Sequence, residues 1–145
     1  MSLNLEKIDL VQELSAEQQD VLADLLTARC FRPGETLFRH SDEAAELFLI
    51  SEGSIRLELK GRVLGELRTG EAIGAVSLVV VGARQCDAIA IETTRVLALS
   101  RESYLRLRVD SPSVALALQE GTLRAFAGLL RMTISDRRGA SVGGA

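Results

Sequence analysis

Aromatic side chains are scarce in this chain: 3% of 145 residues, with no tryptophan and a single tyrosine. Stacking platforms for single-stranded nucleic acid depend on exposed aromatics, so that class of partner is disfavoured. Positive charge is short as well. Seventeen Lys and Arg against twenty Asp and Glu leave a net charge of −3, the wrong sign for a protein whose main partner is a phosphate backbone. One histidine and two distant cysteines supply neither a spaced metal motif nor a disulfide framework. Cys30 and Cys86 stand in apolar surroundings and read as small core residues. No apolar run approaches the roughly 18 residues that span a bilayer, and the N-terminus lacks the regions of a secretory signal. The expectation is a cytoplasmic protein with no membrane segment. His40 sits in a turn near Asp42 and Glu43, and the serines are scattered without a nucleophile elbow, so no catalytic residue is assigned and no enzyme is expected.

What is present is enough for one core. Apolar residues make up 47% and charged residues 26%, a soluble globular balance, and the length fits one domain. Ser15-Ala16-Glu17-Gln18 reads as a capping box, and Val21, Leu22, Leu25 and Leu26 recur at helical spacing, which predicts a helix over 16–28. Arg32-Pro33-Gly34-Glu35 is a turn signal. From Thr36 to about Leu99 the chain reads as β. Leu47-Phe48-Leu49-Ile50 is a short buried run before the Gly53 turn. Ser54 to Lys60 alternates with period two, and Lys60-Gly61-Arg62 turns a hairpin back through Val63 to Leu67. Strands are also expected over Asp87–Ile91 and Arg95–Leu99. Short strands with glycine turns predict a barrel or jelly roll.

Two helices are expected after the strands. One covers Ser100–Val109 with Ser100 as cap; the other is capped by Ser111, has Pro112 in its first turn and runs to about Ser135. Val114, Leu118, Ala125, Leu129 and Met132 trace one apolar stripe along it, and Leu116, Leu123, Phe126, Leu130 and Ile134 trace a second. One stripe suffices to pack a helix on its own domain. Two predict a further surface to cover, and the first stripe is assigned to a self-associating helix of a homodimer. Arg137 to Ala145 is glycine-rich and expected to be flexible.

The stretch Gly70 to Cys86 carries the chemistry. Gly70 and Gly74 end a strand-like run, a short apolar segment follows, and Arg84 stands alone among uncharged residues. Glycine admits close approach to the backbone, a helix start presents unpartnered N–H groups, and arginine grips an oxyanion with two bonds. The pattern describes a small anion cradle for one phosphate. The plainer reading is a turn whose arginine pairs with a carboxylate such as Glu71 or Asp87. The Val79-Val80-Val81 run is unusual for a helix, because β-branched residues lose χ1 freedom there.

The order of these elements resembles the cyclic nucleotide-binding domain family, the sensor module of catabolite-activator-type regulators, kinase regulatory subunits and some channels. The resemblance covers about Leu14 to Ile134. It rests on Phe31-Arg32-Pro33-Gly34-Glu35, on Leu47 to Ile50 with Glu52-Gly53, and on Arg68-Thr69-Gly70-Glu71. Ile73-Gly74, Arg84 ten residues later, and Arg95 to Arg101 complete it. It implies a mainly β domain with flanking helices: a double-stranded β-helix (jelly roll) over about 30–100, an N-terminal helix, and two C-terminal helices over about 101–135, with 136–145 as a tail.

The resemblance also implies a phosphate-binding cassette. Gly74 matches the glycine that starts the cassette helix, Ala75, Val76, Ser77 and Leu78 would aim N–H groups at the phosphate, and Arg84 matches the arginine that pairs with it. Four positions depart. Ala75 stands where the family has a glutamate for the ribose 2′-hydroxyl, a loss of about 1.5–3 kcal/mol. Gln85 replaces a small residue after the arginine, where it either crowds the phosphate or donates a replacement bond. Cys86 replaces a small alanine, and Ser41 replaces the glycine of a Gly-Asp turn. The functional expectation is a regulatory module, with no cofactor, that binds cyclic AMP, cyclic GMP or a related phosphorylated effector and relays it through its C-terminal helices to a dimer or a larger regulatory partner. The alternative is a degenerate fold acting as a dimerisation or docking domain. The helix-turn-helix domain of catabolite-activator-type regulators would need some 60 residues after the last helix. Only about ten follow Ser135, so no direct DNA binding by this chain is expected.

Overall fold

The computed structural model describes residue 5 and residues 8–124. A 3-10 turn at Asp9–Val11 leads into helix α1 (Ala16–Ala23). The Ser15 side chain accepts from the Gln18 N–H while the Gln18 side chain accepts from the Ser15 N–H, so the box expected there closes from both sides. The helix is shorter than its apolar spacing predicts. Only Leu22 of α1 is buried; Leu25 and Leu26 reach the same core from the following turn, and Thr27 already pairs with Ala98 in a sheet. The apolar spacing persisted through a turn that tertiary packing, rather than helix, satisfies.

The described strands are all antiparallel. Strands β1 (Thr27–Phe31), β4 (Glu46–Glu52), β7 (Ala72–Ile73) and β10 (Thr94–Ser100) form one sheet in the order β1-β10-β4-β7. Strands β2 (Thr36–Phe38), β5 (Ser54–Leu59), β6 (Arg62–Arg68) and β9 (Asp87–Ala90) form a second in the order β2-β9-β5-β6, and β3 (Glu43–Ala44) pairs with β8 (Gly82–Ala83). This is the jelly roll that the strand spacing anticipates. The buried run in β4 has a double purpose. Leu47 and Leu49, with Leu97 and Leu99 of β10, face the helices; Phe48 and Ile50, with Val96 and Ala98, face Phe38, Ile55 and Ala88 inside the roll. Alternate side chains point to opposite faces, so a strand buried on both sides reads as continuously apolar.

Helix α2 (Arg101–Asp110) starts at Ser100, whose side chain accepts from the Ser103 N–H. Helix α3 occupies residues 112–124 of the described chain; the Ser111 carbonyl accepts its first bonds, from Val114 and Ala115, and Pro112 loses no needed donor at this position. Tyr104 and Leu107 of α2 and Val114, Ala115 and Leu118 of α3 complete the helix-side core. This corrects the face assigned to self-association: Val114 and Leu118 are buried within the chain, whereas Leu116 and Leu123 are 56% and 68% exposed. Ala125, Leu129 and Met132 lie outside the described residues, as does the expected tail. Cys30 is corrected too, since it is exposed on edge strand β1, while Cys86 is half-buried and packs against the roll core.

Candidate functional site

Gly74 adopts a left-handed conformation, φ 91°, and caps a 3-10 turn at Ala75–Leu78. Two constraints make it glycine. The backbone angle disfavours any side chain, and a Cβ would lie 2.5 Å from Arg84 Nη1 and 2.6 Å from the Glu46 carbonyl oxygen. This 3-10 turn spans the four residues expected to supply the cassette's N–H groups. The Ser77 N–H already donates to the Gly74 carbonyl at 2.9 Å, so Ala75 and Val76, ahead of that first bond, carry the N–H groups without a partner inside the turn. The β-branched run causes no helical strain, because Val79, Val80 and Val81 follow the turn and are exposed.

Arg84 reaches the same point from the other side. Its backbone is clamped: the Ser41 N–H donates to its carbonyl at 2.8 Å, and its own N–H donates to the Asp42 carbonyl at 2.7 Å. The side chain folds inward until only 7% of the residue is exposed. Nη1 donates to Ser77 Oγ at 3.3 Å and Nη2 to the Glu46 carbonyl at 2.9 Å. The guanidinium carbon lies 4.2 Å from the Phe38 ring centroid and 5.4 Å from that of Phe48. Nε is buried without a hydrogen-bond partner among the described residues.

No carboxylate lies within ion-pair distance of Arg84 among the described residues. Glu71 instead accepts from the Arg68 N–H and Asp87 from the His40 N–H, so neither is the structural partner that the plainer sequence reading offered. Burial lowers the Arg84 pKa from its ordinary value, against opposing effects of Glu46, Asp42 and Cys86. A guanidinium nevertheless remains protonated in proteins. The result is a buried cation held only by neutral oxygens and two aromatic faces. Such a charge is costly to bury, and a bound anion would offset that cost.

The other expected residues divide. Ser77 is buried at the cradle through Oγ, and Leu78 is part of the helix-side core. Ala75 presents a methyl group against that core and has no side-chain acceptor for a ribose hydroxyl. Gln85 is exposed and takes no part in the hydrogen bonds around Arg84. Burial, followed by Asp87, raises the Cys86 thiol pKa, against Arg84, so the thiol stays protonated near neutrality. Phe38, Phe48 and the Glu46 carbonyl were not singled out from the sequence. The two rings read simply as core, and a carbonyl has no residue-type signal. A cleft of about 360 Å³ lies between Ala75, Val76, Leu78 and Val79 on one side and Tyr104, Leu118 and Leu123 on the other. Arg84 does not line it; of its polar side chains, Tyr104 and Gln119 bond to each other and Thr122 Oγ1 donates to the Leu118 carbonyl.

The jelly roll thus brings a left-handed glycine, a short turn and one buried arginine together at one place. The cyclic nucleotide-binding domain model matches residues 28–111, more than half of the chain, and the chain belongs to that family of regulatory domains. It is 36% identical over 107 residues to the cyclic AMP receptor protein of Thermus thermophilus, covering 70% of this chain and 50% of that protein. It is 28% identical over 137 residues to a putative potassium channel protein of Rhodopseudomonas palustris, covering 92% of this chain and 33% of that one. The chain thus spans half or less of these relatives. Among solved structures, the Thermus thermophilus catabolite activator protein superposes with a TM-score of 0.76 at 30% identity, over 92% of this chain and 63% of that one. A cyclic nucleotide-binding domain from Methylobacillus flagellatus reaches 0.81 at 20% identity, over 91% and 77%, which supports the fold. Among the described residues no helix is long and apolar enough to cross a membrane.

Proposed function

We propose that this chain is a regulatory sensor domain that binds a phosphorylated effector of the cyclic nucleotide class at Arg84 and relays its presence through α2 and α3. The observation that carries this reading is the buried Arg84 cation with no carboxylate within 4.0 Å among the described residues. Gly74 holds the backbone close enough for one phosphate to meet Arg84 and the Ala75 and Val76 N–H groups together. The name of the Thermus relative, a cyclic AMP receptor protein, supports cyclic AMP as the first effector to test, with cyclic GMP beside it. The residues fit the phosphate half of such a ligand and not the ribose half, because Ala75 offers no acceptor. Affinity is therefore expected to be about ten- to a hundredfold weaker than with a glutamate there.

A thermal-shift titration tests the reading. Cyclic AMP or cyclic GMP should raise the unfolding temperature of the full chain, and Arg84→Ala should remove the rise. A folded parent that shows no rise at millimolar nucleotide would remove the proposal. A second reading, self-association, has its own support in the exposed Leu116 and Leu123 on one face of α3. It would present the relay as a homodimer or to a larger regulatory partner.

A further inference from the structure

Two arginines hold the cassette by the same anchors. Ser77 is gripped from both sides: Oγ accepts from Arg84 Nη1 at 3.3 Å, and its carbonyl accepts from Arg101 Nε at 2.7 Å. The main-chain run at residues 44–46 is shared in the same way. The Ala44 carbonyl accepts from Arg101 Nη2 at 2.6 Å, the Ala45 carbonyl from the Arg101 backbone N–H at 2.9 Å, and the Glu46 carbonyl from Arg84 Nη2 at 2.9 Å. Arg101 Nη2 also reaches the Val80 carbonyl at 3.1 Å, beyond the end of the turn. Arg101 is the first residue of α2. Its backbone belongs to the helix while its side chain joins the cassette to the β3–β4 connection.

From this arrangement we propose that Arg101 is a positioning residue that couples the state of Arg84 to the start of α2. An anion that draws the Arg84 guanidinium toward it would pull on its bonds to Ser77 and Glu46. Any displacement of those two anchors is transmitted to Arg101, whose three side-chain bonds end on the same segments. From α2 the displacement reaches α3 through the Tyr104–Gln119 hydrogen bond. A planar guanidinium with several donors can span carbonyls of two segments; a lysine ammonium is a compact point charge and does not reproduce that fork. The identity of the anion rests on the function proposed above, whereas the coupling of the two arginines does not.

Hydrogen exchange of the α2 amides, followed in the full chain, separates coupling from simple stapling. Without ligand, Arg84→Met should change exchange in α2 by about fivefold or more in the parent and by little in an Arg101→Lys background, since coupled residues are non-additive. Independent fold changes that simply multiply in the double variant would overturn the proposal. Should Arg101→Lys fail to fold, Arg101→Gln, which keeps an amide donor, takes its place in the same cycle. In a second arm, cyclic AMP should alter α2 exchange in the parent. In Arg101→Lys it should still bind, with affinity within about tenfold, but leave α2 exchange unchanged. A wild-type α2 response in that variant contradicts the proposal. Absence of cyclic AMP binding by the parent counts against the function proposed above, and the ligand-free cycle still decides the role of Arg101.

Discussion

At the scale of single residues, Arg84 and its surroundings separate stability from function. The side chain is buried, stacked on Phe38 and bonded only to neutral oxygens, so the protein bears the cost of a buried charge that nearby carboxylates offset only in part. Arg84→Met retains the apolar stack through a thioether, and leaves the acceptors at Ser77 and Glu46 unpaired. These effects oppose each other. Chemical denaturation of Arg84→Met should therefore give a stability within about 1 kcal/mol of the parent, even as nucleotide binding is lost; a loss of several kcal/mol would mean that the arginine is a structural tie. Ser41 offers a second test. It holds a positive φ of 76° while its N–H supports the Arg84 carbonyl. Left-handed backbone costs a side-chain-bearing residue about 1–2 kcal/mol, part of which glycine forfeits in unfolded-state entropy. Ser41→Gly should stabilise by about 0.5–1 kcal/mol in urea melts, and unchanged or lower stability would contradict that strain.

Among the elements, α3 decides most. It passes so close to the N-terminal segment that a Cβ on Gly121 would lie 2.3 Å from the Leu10 carbonyl oxygen. Alanine normally improves a helix interior by about 1 kcal/mol over glycine, yet Gly121→Ala should destabilise by about 1–3 kcal/mol through overpacking. Denaturant midpoints with an unchanged slope would check it, and a stabilised variant would show that the contact is loose. On the exposed face, Leu116→Glu or Leu123→Glu should lower the mass measured by light scattering if α3 self-associates, with folding intact; an unchanged mass removes that face from any dimer. The two apolar stripes of α3 were legible in the sequence, but which one faces inward was not. Val114 and Leu118 turn inward because Tyr104, Leu107 and Leu22 wait there, a fact of tertiary placement. The roll itself was legible because β5 alternates and glycines mark its turns. The end of α1 was not, since Leu25 and Leu26 keep helical spacing outside a helix. Gly74 and Arg84 could be picked out as chemistry-bearing residue types, whereas the rings over Arg84 and the grip of Arg101 required distant segments to meet.

For the whole molecule, the sheet buried on both faces links the two halves of the domain. One face of β4 and β10 lines the roll beside Arg84, and the other carries the helices. On the proposed function, a ligand at Arg84 would act on a strand pair that the C-terminal helices already rest upon, and differential contact with that pair would shift the helices. On the same function, Ala75→Glu should tighten cyclic AMP by about ten- to a hundredfold in calorimetry, and no gain would mean that the ligand brings no ribose hydroxyl to that position. In the function proposed above, the buried Arg84 cation is the partner of a ligand anion. Its Nε–H, without a hydrogen-bond partner among the described residues, can be followed by nitrogen-edited magnetic resonance during titration with cyclic AMP. This one arginine signal should shift and saturate, and be absent from Arg84→Met; a signal unmoved at millimolar nucleotide in a folded chain would rule out an anion at Arg84.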